Sequence, residues 1–237
     1  MRWDRIALPV TAPATPRATV LFADLRGYTA MAEQLAPAYL ARLLDEFFSA
    51  LTSVVELHGG QVFHTAGDSL MAGFGVSDPV QDGTQEAVAA GRSMLARFES
   101  LGERWQRDSH VEAGVGIGLH LGEVALAAFG PPARRIFTLV GDTANVAARL
   151  CGRARAGEVL FSCTVAAALA ARSPDSALAE SSSEPIAFLQ LPRYELRGRR
   201  APLDIWCIPA SKRIELPGTP PGENSALVRT RRATLRI

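Results

Sequence analysis

The sequence predicts one α/β sandwich domain over about residues 17–209. Three observations predict it. Short apolar runs of strand character alternate with longer stretches whose apolar residues fall at helical spacing. Glycines and prolines punctuate the junctions between them. Of the 237 residues 48% are hydrophobic, enough for one large core.

The elements follow in chain order. Residues 1–16 carry Pro9, Pro13 and Pro16 among small residues and read as an extended arm. Ala18–Asp24 is an apolar run ending in a carboxylate, a buried strand. From Thr29 to His58 the apolar residues keep helical spacing, with Pro37 forcing a break or a fresh start and Gly59-Gly60 ending the run. Gln61–His64 and Ser69–Phe74 flank Gly67-Asp68 as a hairpin. Asp82–Arg107 is helical. Val111–Phe129 reads as two strands turning near Leu121-Gly122. Phe137–Val140 is a short strand, and Gly141-Asp142-Thr143 leads into a helix through Cys151. Glu158–Ser162 is a strand, Thr164–Ala171 a helix, and Ser173–Pro185 a polar, mobile loop. Leu189–Leu196 and Leu203–Ile208 form a closing hairpin, and the Pro/Arg-rich residues 210–237 read as a disordered tail.

Composition narrows the function classes. A net charge of +1 lacks the basic excess of a protein that coats nucleic acid. Neither a signal peptide nor a run of about 20 apolar residues is present, so no membrane span is expected. Cys151, Cys163 and Cys207 have no zinc-site spacing and read as reduced thiols, which suggests a cytoplasmic protein.

Two constellations carry chemistry. Asp24 and Asp68 each end or interrupt an apolar strand, where a carboxylate is costly unless something positive offsets it. Together they could bridge two Mg²⁺ or Mn²⁺ ions, which prefer oxygen ligands. Taken singly, Asp24 serves equally as a helix cap and Asp68 as a turn residue. After Asp24 the sequence Leu-Arg-Gly-Tyr-Thr opens a helix, whose N-terminus is a seat for phosphate involving Arg26, Gly27, Tyr28 and Thr29. Asn145 and Arg149 lie four apart on one helix face, able to orient a sugar and grip a phosphate, or merely to face solvent.

The ordered motifs FADLRGYTAMAE, HTAGDSLMAGFG, GIGLHLGEV and FTLVGDTANVAARL, closed by YELRGRRAPLDIW, resemble the class III adenylate/guanylate cyclase catalytic domain. The resemblance implies a ferredoxin-like, mainly antiparallel sheet with helices packed on it. It also implies a homodimer whose composite sites lie at the interface, and two divalent metal ions as cofactors. Asp24 and Asp68 match the metal-binding aspartates, Asn145 the ribose-orienting asparagine and Arg149 the transition-state arginine. Arg197 lies near the basic residue that meets the terminal phosphates. Two positions depart from the pattern. His64 stands where the family usually reads the base with lysine, and Thr138 stands at the second base-reading position, as in some bacterial adenylyl cyclases.

The expected activity is conversion of a nucleoside triphosphate to a 3′,5′-cyclic nucleotide and pyrophosphate, with ATP as the default. UTP or CTP is the alternative that the altered base-reading pair opens. The chain has no sensor or membrane domain, which is similar to stand-alone bacterial cyclases, including makers of cyclic UMP or CMP in antiphage defence. An inactive cyclase-like dimeric binding module is disfavoured because all four catalytic positions are filled. A diguanylate cyclase lacks its GG-(D/E)-EF stretch here, and a two-metal polymerase or nuclease lacks a basic surface.

Overall fold

Arg17–Arg26 forms the inner strand β1, which pairs antiparallel with a neighbour on each side in this computed structural model. The structure describes residues 16–77, 81–172, 186–195, 202–209 and 232–235. Helices α1 (Tyr28–Gln34) and α2 (Pro37–Leu57) follow β1. Pro37 opens α2 at its first turn, where the missing N–H costs nothing. The hairpin β2 (Gln61–Ala66) and β3 (Ser69–Phe74) leads to α3 (Thr84–Ser109) and β4 (Gly114–Glu123). This β-α-β-β-α-β succession, with strands in the order β4-β1-β3-β2, is the ferredoxin-like core.

The rest of the chain builds outward from that core. Strands β5 (Ala125–Phe129) and β6 (Ile136–Val140) make a separate two-stranded ribbon. Helix α4 (Asp142–Arg153) follows, then β7 (Glu158–Ser162), α5 (Cys163–Ala171), β8 (Ile186–Tyr194) and β9 (Leu203–Ile208). Among the described residues the main sheet has eight strands in the order β10-β8-β9-β7-β4-β1-β3-β2, where β10 is Arg232–Leu235. Neighbours run antiparallel except β4 and β7.

Two expectations are corrected. The turn expected near Leu121-Gly122 falls at Val124, because β1 keeps β4 paired as far as Glu123. Residues 210–237 were expected to be a disordered tail, yet Arg232–Leu235 pairs with β8 as β10. The open edge of β8 offers unpaired N–H and C=O groups, a partner that tail composition does not reveal. The loop expected at Ser173–Pro185 lies outside the described residues, as do residues 1–15 and 210–231.

Alternation along β1 and β4 divides the molecule into two faces. Leu21, Ala23 and Leu25, with Val115, Ile117, Leu119 and Leu121, pack on α2 and α3 in the largest core. In that core Phe47, Phe98 and Trp105 meet edge to face. The opposite face holds Ala18, Val20, Phe63, Met71, Leu139 and Ala147. On this face β4 presents Gly114, Gly116, Gly118 and Gly122, and α4 lies directly on Gly118 and Gly122, while Gly116 faces Arg26 and the Ala154 carbonyl and Gly114 faces Ala156. A Cβ at Gly118 would fall well inside 3.0 Å of Cys151 N and Ala147 O, so two backbones touch where side chains would normally separate them.

This close approach yields the first prediction. Gly118→Ala should lower stability by about 1–3 kcal/mol or more, which is roughly 2–12 °C in Tm for a domain of this size. Gly152→Ala, on the open side of α4 with nothing within 4 Å of the new Cβ, should raise stability by about 0.5–1 kcal/mol. Thermal unfolding of the two variants checks both signs, and equal shifts would refute the direct seating of α4.

Candidate active site

Asp24 belongs to the even-numbered set of β1 and therefore to the face that carries α4. Its register partners are Ser69 on β3 and Gly116 on β4. The tight β2–β3 turn holds Asp68, whose carbonyl accepts a hydrogen bond from Leu25 N–H at 3.0 Å. Backbone pairing thus fixes the two aspartates side by side before any ligand arrives. Burial pushes the Asp24 carboxyl above its usual range, the adjacent Arg26 guanidinium pulls it back, and the nearby Asp68 charge pushes it up again.

Arg26 does not extend toward the first turn of α1. Its Nε–H donates to Ala154 O at 3.0 Å, Nη2 to Cys151 O, and Nη1 to Asp24 Oδ1. In this arrangement the Arg26 fork is committed to α4 and Asp24. Gly116 provides the space, because a Cβ there would lie 2.7 Å from Arg26 Nε. Gly27 caps α1 in the left-handed region at φ 92°, and a side chain there would meet Glu112 O at 2.7 Å. Helix α1 opens at Tyr28, so the N–H groups of its first turn have no acceptor within the helix.

Helix α4 buries Thr143, Val146, Ala147, Leu150 and Cys151, which leaves Asn145 and Arg149 exposed on its outer side. Thr143 lies over Gly122 and donates to Glu123 O at 2.6 Å, while Ala154 O lies over Gly116. The helix therefore runs antiparallel to β4. Six strand residues from Gly116 to Gly122 span about 20 Å. Asn145, just past Thr143, consequently stands roughly 15–20 Å from Asp24 along the sheet. The structure brings Asp24 and Asp68 together, and it holds Asn145 at the other end of the helix.

His64 follows a β-bulge between Val62 and His64. Strand alternation puts Val62 in the helix-side core and Phe63 in the cluster on the α4 side, and the bulge then keeps His64, opposite Met71, on the same face as Phe63, where it is exposed. On the β5–β6 ribbon Thr138 is half-buried opposite Ala127. Its neighbour Leu139 meets Phe63 over Gly73, which has no side chain to keep them apart. His64 and Thr138 are thus each next to a residue of one shared apolar contact. Arg197 lies outside the described residues.

The donor set fits divalent cations. Among the described residues there is no group of three or more His, Cys, Asp or Glu able to hold a metal. Two aspartates that repel each other at a half-buried position suit Mg²⁺ or Mn²⁺, which keep waters and take further oxygens from substrate phosphates. Two of the thiols are inert by contrast. Cys151 and Cys207 are buried, and burial pushes the Cys151 thiol up to about 12.

Sequence reasoning missed three features. The commitment of Arg26 to α4 had no signal, since it joins residues more than 120 apart. The alternate glycines of β4 are visible in GVGIGLHLGE, but their purpose is not. The exposed Phe129 and Ile136, 56% and 62% accessible on the β5–β6 ribbon, read in sequence as ordinary strand residues. No helix among the described residues is long and apolar enough to cross a membrane.

Comparison with known proteins adds the following. The family model of the adenylate and guanylate cyclase catalytic domain matches residues 10–207. An adenylate cyclase of Anabaena cylindrica is 32% identical over 148 residues, 61% of this chain and 29% of the relative. An adenylate cyclase of Mycobacterium tuberculosis is 36% identical over 143 residues, 60% of this chain and 31% of the relative. The chain therefore spans about a third or less of the length of these curated relatives. The crystal structure of the adenylyl cyclase CyaB from P. aeruginosa superposes with a TM-score of 0.72 at 23% identity, covering 84% of this chain and 96% of that one.

Proposed function

The chain belongs to the adenylate and guanylate cyclase catalytic domain family, and from that premise we propose that it converts ATP to 3′,5′-cyclic AMP and pyrophosphate as a homodimer. The observation that carries this reading is the pairing of Asp24 and Asp68 at the end of β1, held by the Leu25 N–H to Asp68 carbonyl hydrogen bond. When bound there, two divalent ions would supply acidity for the ribose 3′-hydroxyl and offset charge on the phosphates. Asp24 and Asp68 hold them. The N–H groups of Gly27, Tyr28 and Thr29 receive phosphate oxygens. Arg197 is assigned the terminal phosphates on its sequence position alone. Asn145 orients the sugar so that its 3′-oxygen faces the α-phosphorus. Arg149 meets the charge that grows on the α-phosphate, as a fixed guanidinium suited to phosphate geometry.

Distances within one subunit support a composite site. Asn145 stands roughly 15–20 Å from Asp24 along the sheet, too far for both to grip one nucleotide. In a two-fold dimer the aspartates of one subunit would face Asn145 and Arg149 of its partner. The exposed Phe129 and Ile136 support the same assembly, because a second copy would cover them. Adenine is the default base because the relatives bear the name adenylate cyclase. His64 and Thr138 are proposed to read it, and free thiols suit a reducing cytoplasm.

Two predictions test the reading. Asp24→Asn and Arg149→Ala should each reduce kcat by about 10²–10³-fold or more. Mixing the two inactive proteins should restore activity, since each heterodimer regains one intact site. Failure to recover activity after demonstrated subunit exchange would refute the composite arrangement. The second prediction concerns the base. His64→Lys should raise the kcat/KM ratio of ATP over UTP by roughly 5- to 150-fold, because a fixed donor is left unpaired by the wrong base. Product identification with all four triphosphates checks it. A parent enzyme that prefers UTP or CTP would replace ATP with a pyrimidine substrate, and unchanged ratios would remove His64 from the base site.

A further inference from the structure

We propose that Arg26 is a positioning residue that ties the Asp24 carboxylate to the C-terminus of α4, so that cation binding at one composite site is felt by the helix that serves the other. The inference rests on the metal and dimer assignments above and adds a coupling between them. Three groups of one guanidinium reach three acceptors: Asp24 Oδ1, Cys151 O and Ala154 O. Cys151 and Ala154 lie at the end of α4, where Cys151 O also accepts the capping Ala154 N–H at 3.0 Å and Ala154 O lies just past the last turn. A cation there also complements the negative end of the helix dipole. Only a planar fork can hold this set, because a lysine ammonium is a single point charge on a flexible stem. The fork has a purpose-made hollow, since Gly116, the register partner of Asp24, would obstruct Nε and Nη2 if it carried a Cβ.

The consequence is competition for the Asp24 carboxylate, of which Nη1 holds Oδ1. A divalent cation on Asp24 takes the carboxylate that Nη1 holds and repels the guanidinium. Arg26 must then shift relative to the carbonyls it caps. Those carbonyls end the same helix that presents Asn145 and Arg149 outward. In a dimer these two residues act on the partner's nucleotide, while Asp24 acts on its own. One side chain thus connects the two sites through contacts within a single subunit. It differs from a buried ion pair kept for stability alone in that one of its partners is a ligand of the incoming ion.

The test uses the full-length protein and Mn²⁺ as probe, with affinity read by electron paramagnetic resonance and α4 read by amide hydrogen exchange. In the parent, Mn²⁺ should change exchange across residues 150–154. In Arg26→Gln, Mn²⁺ should bind about fivefold or more tightly, and the exchange change in α4 should vanish. Arg26→Lys keeps the charge and loses the fork. It should bind Mn²⁺ like the parent but no longer transmit the change, and it carries the test if the glutamine variant does not fold. A Mn²⁺-dependent exchange change equal to the parent's in either variant overturns the proposal, as does unchanged or weaker Mn²⁺ binding by Arg26→Gln. Asp24→Asn separates the underlying reading: if it binds Mn²⁺ as tightly as the parent, the metal assignment itself is wrong and the coupling falls with it. Sedimentation of the same samples reports the dimer independently.

Discussion

Direct backbone contact between α4 and β4 is the constraint on which the rest of the site depends. A helix normally stands about 10 Å from a sheet because side chains fill the gap. Here Gly116 and Gly118 remove them, and Ala147, Cys151 and Ala154 come down onto the strand itself. The seating fixes the height, direction and axial position of α4 with little slack. Asn145 and Arg149 are consequently held on the outer side of the helix and Arg26 is trapped beneath its end. An added methyl group in this contact would move residues that never touch it.

The two faces of the sheet divide the labour. Behind it, α2 and α3 cover a continuous apolar core that includes the largest buried aromatic side chains. In front, the packing is thinner and more polar. His120 is buried there and meets Ser162 at 2.7 Å, with Thr164 completing the group. Asp24 sits on the same face at half burial beside a second carboxylate, an arrangement that costs stability without a cation. The proposed site thus lies where the fold is less favourable, and the helical layer behind supplies the stability that tolerates it.

Much of this organisation was legible in the chain. Strand and helix periods located nearly every described element, because a buried face imposes its period on the residues that line it. Asp24 and Asp68 stood out because carboxylates are rare at the ends of apolar strands. Asn145 and Arg149 stood out through their four-residue spacing, and together the ordered motifs carried the family resemblance. Less legible were contacts between distant segments. Arg26 next to a helix N-terminus suggested phosphate, and only the packed helix supplied its acceptors, more than 120 residues away. Likewise β10 depends on the open edge of β8, which no property of the tail itself announces.

Apart from β10, the sequence by itself determined the elements, the sheet-forming segments and the identities of the chemical groups, because period, turn chemistry and charge placement are local properties. Tertiary structure alone decided which groups share a site. It placed Asp24 beside Asp68 through a backbone hydrogen bond across strands, set Asn145 far along the sheet, and turned His64 outward through a bulge. It also closed Arg26 between Asp24 and α4. Apart from the bulge within the β2–β3 hairpin, each of these is a relation between segments separated by dozens of residues, and its energy comes from packing and from charges brought close in partly buried surroundings. Neither quantity exists until the chain has folded.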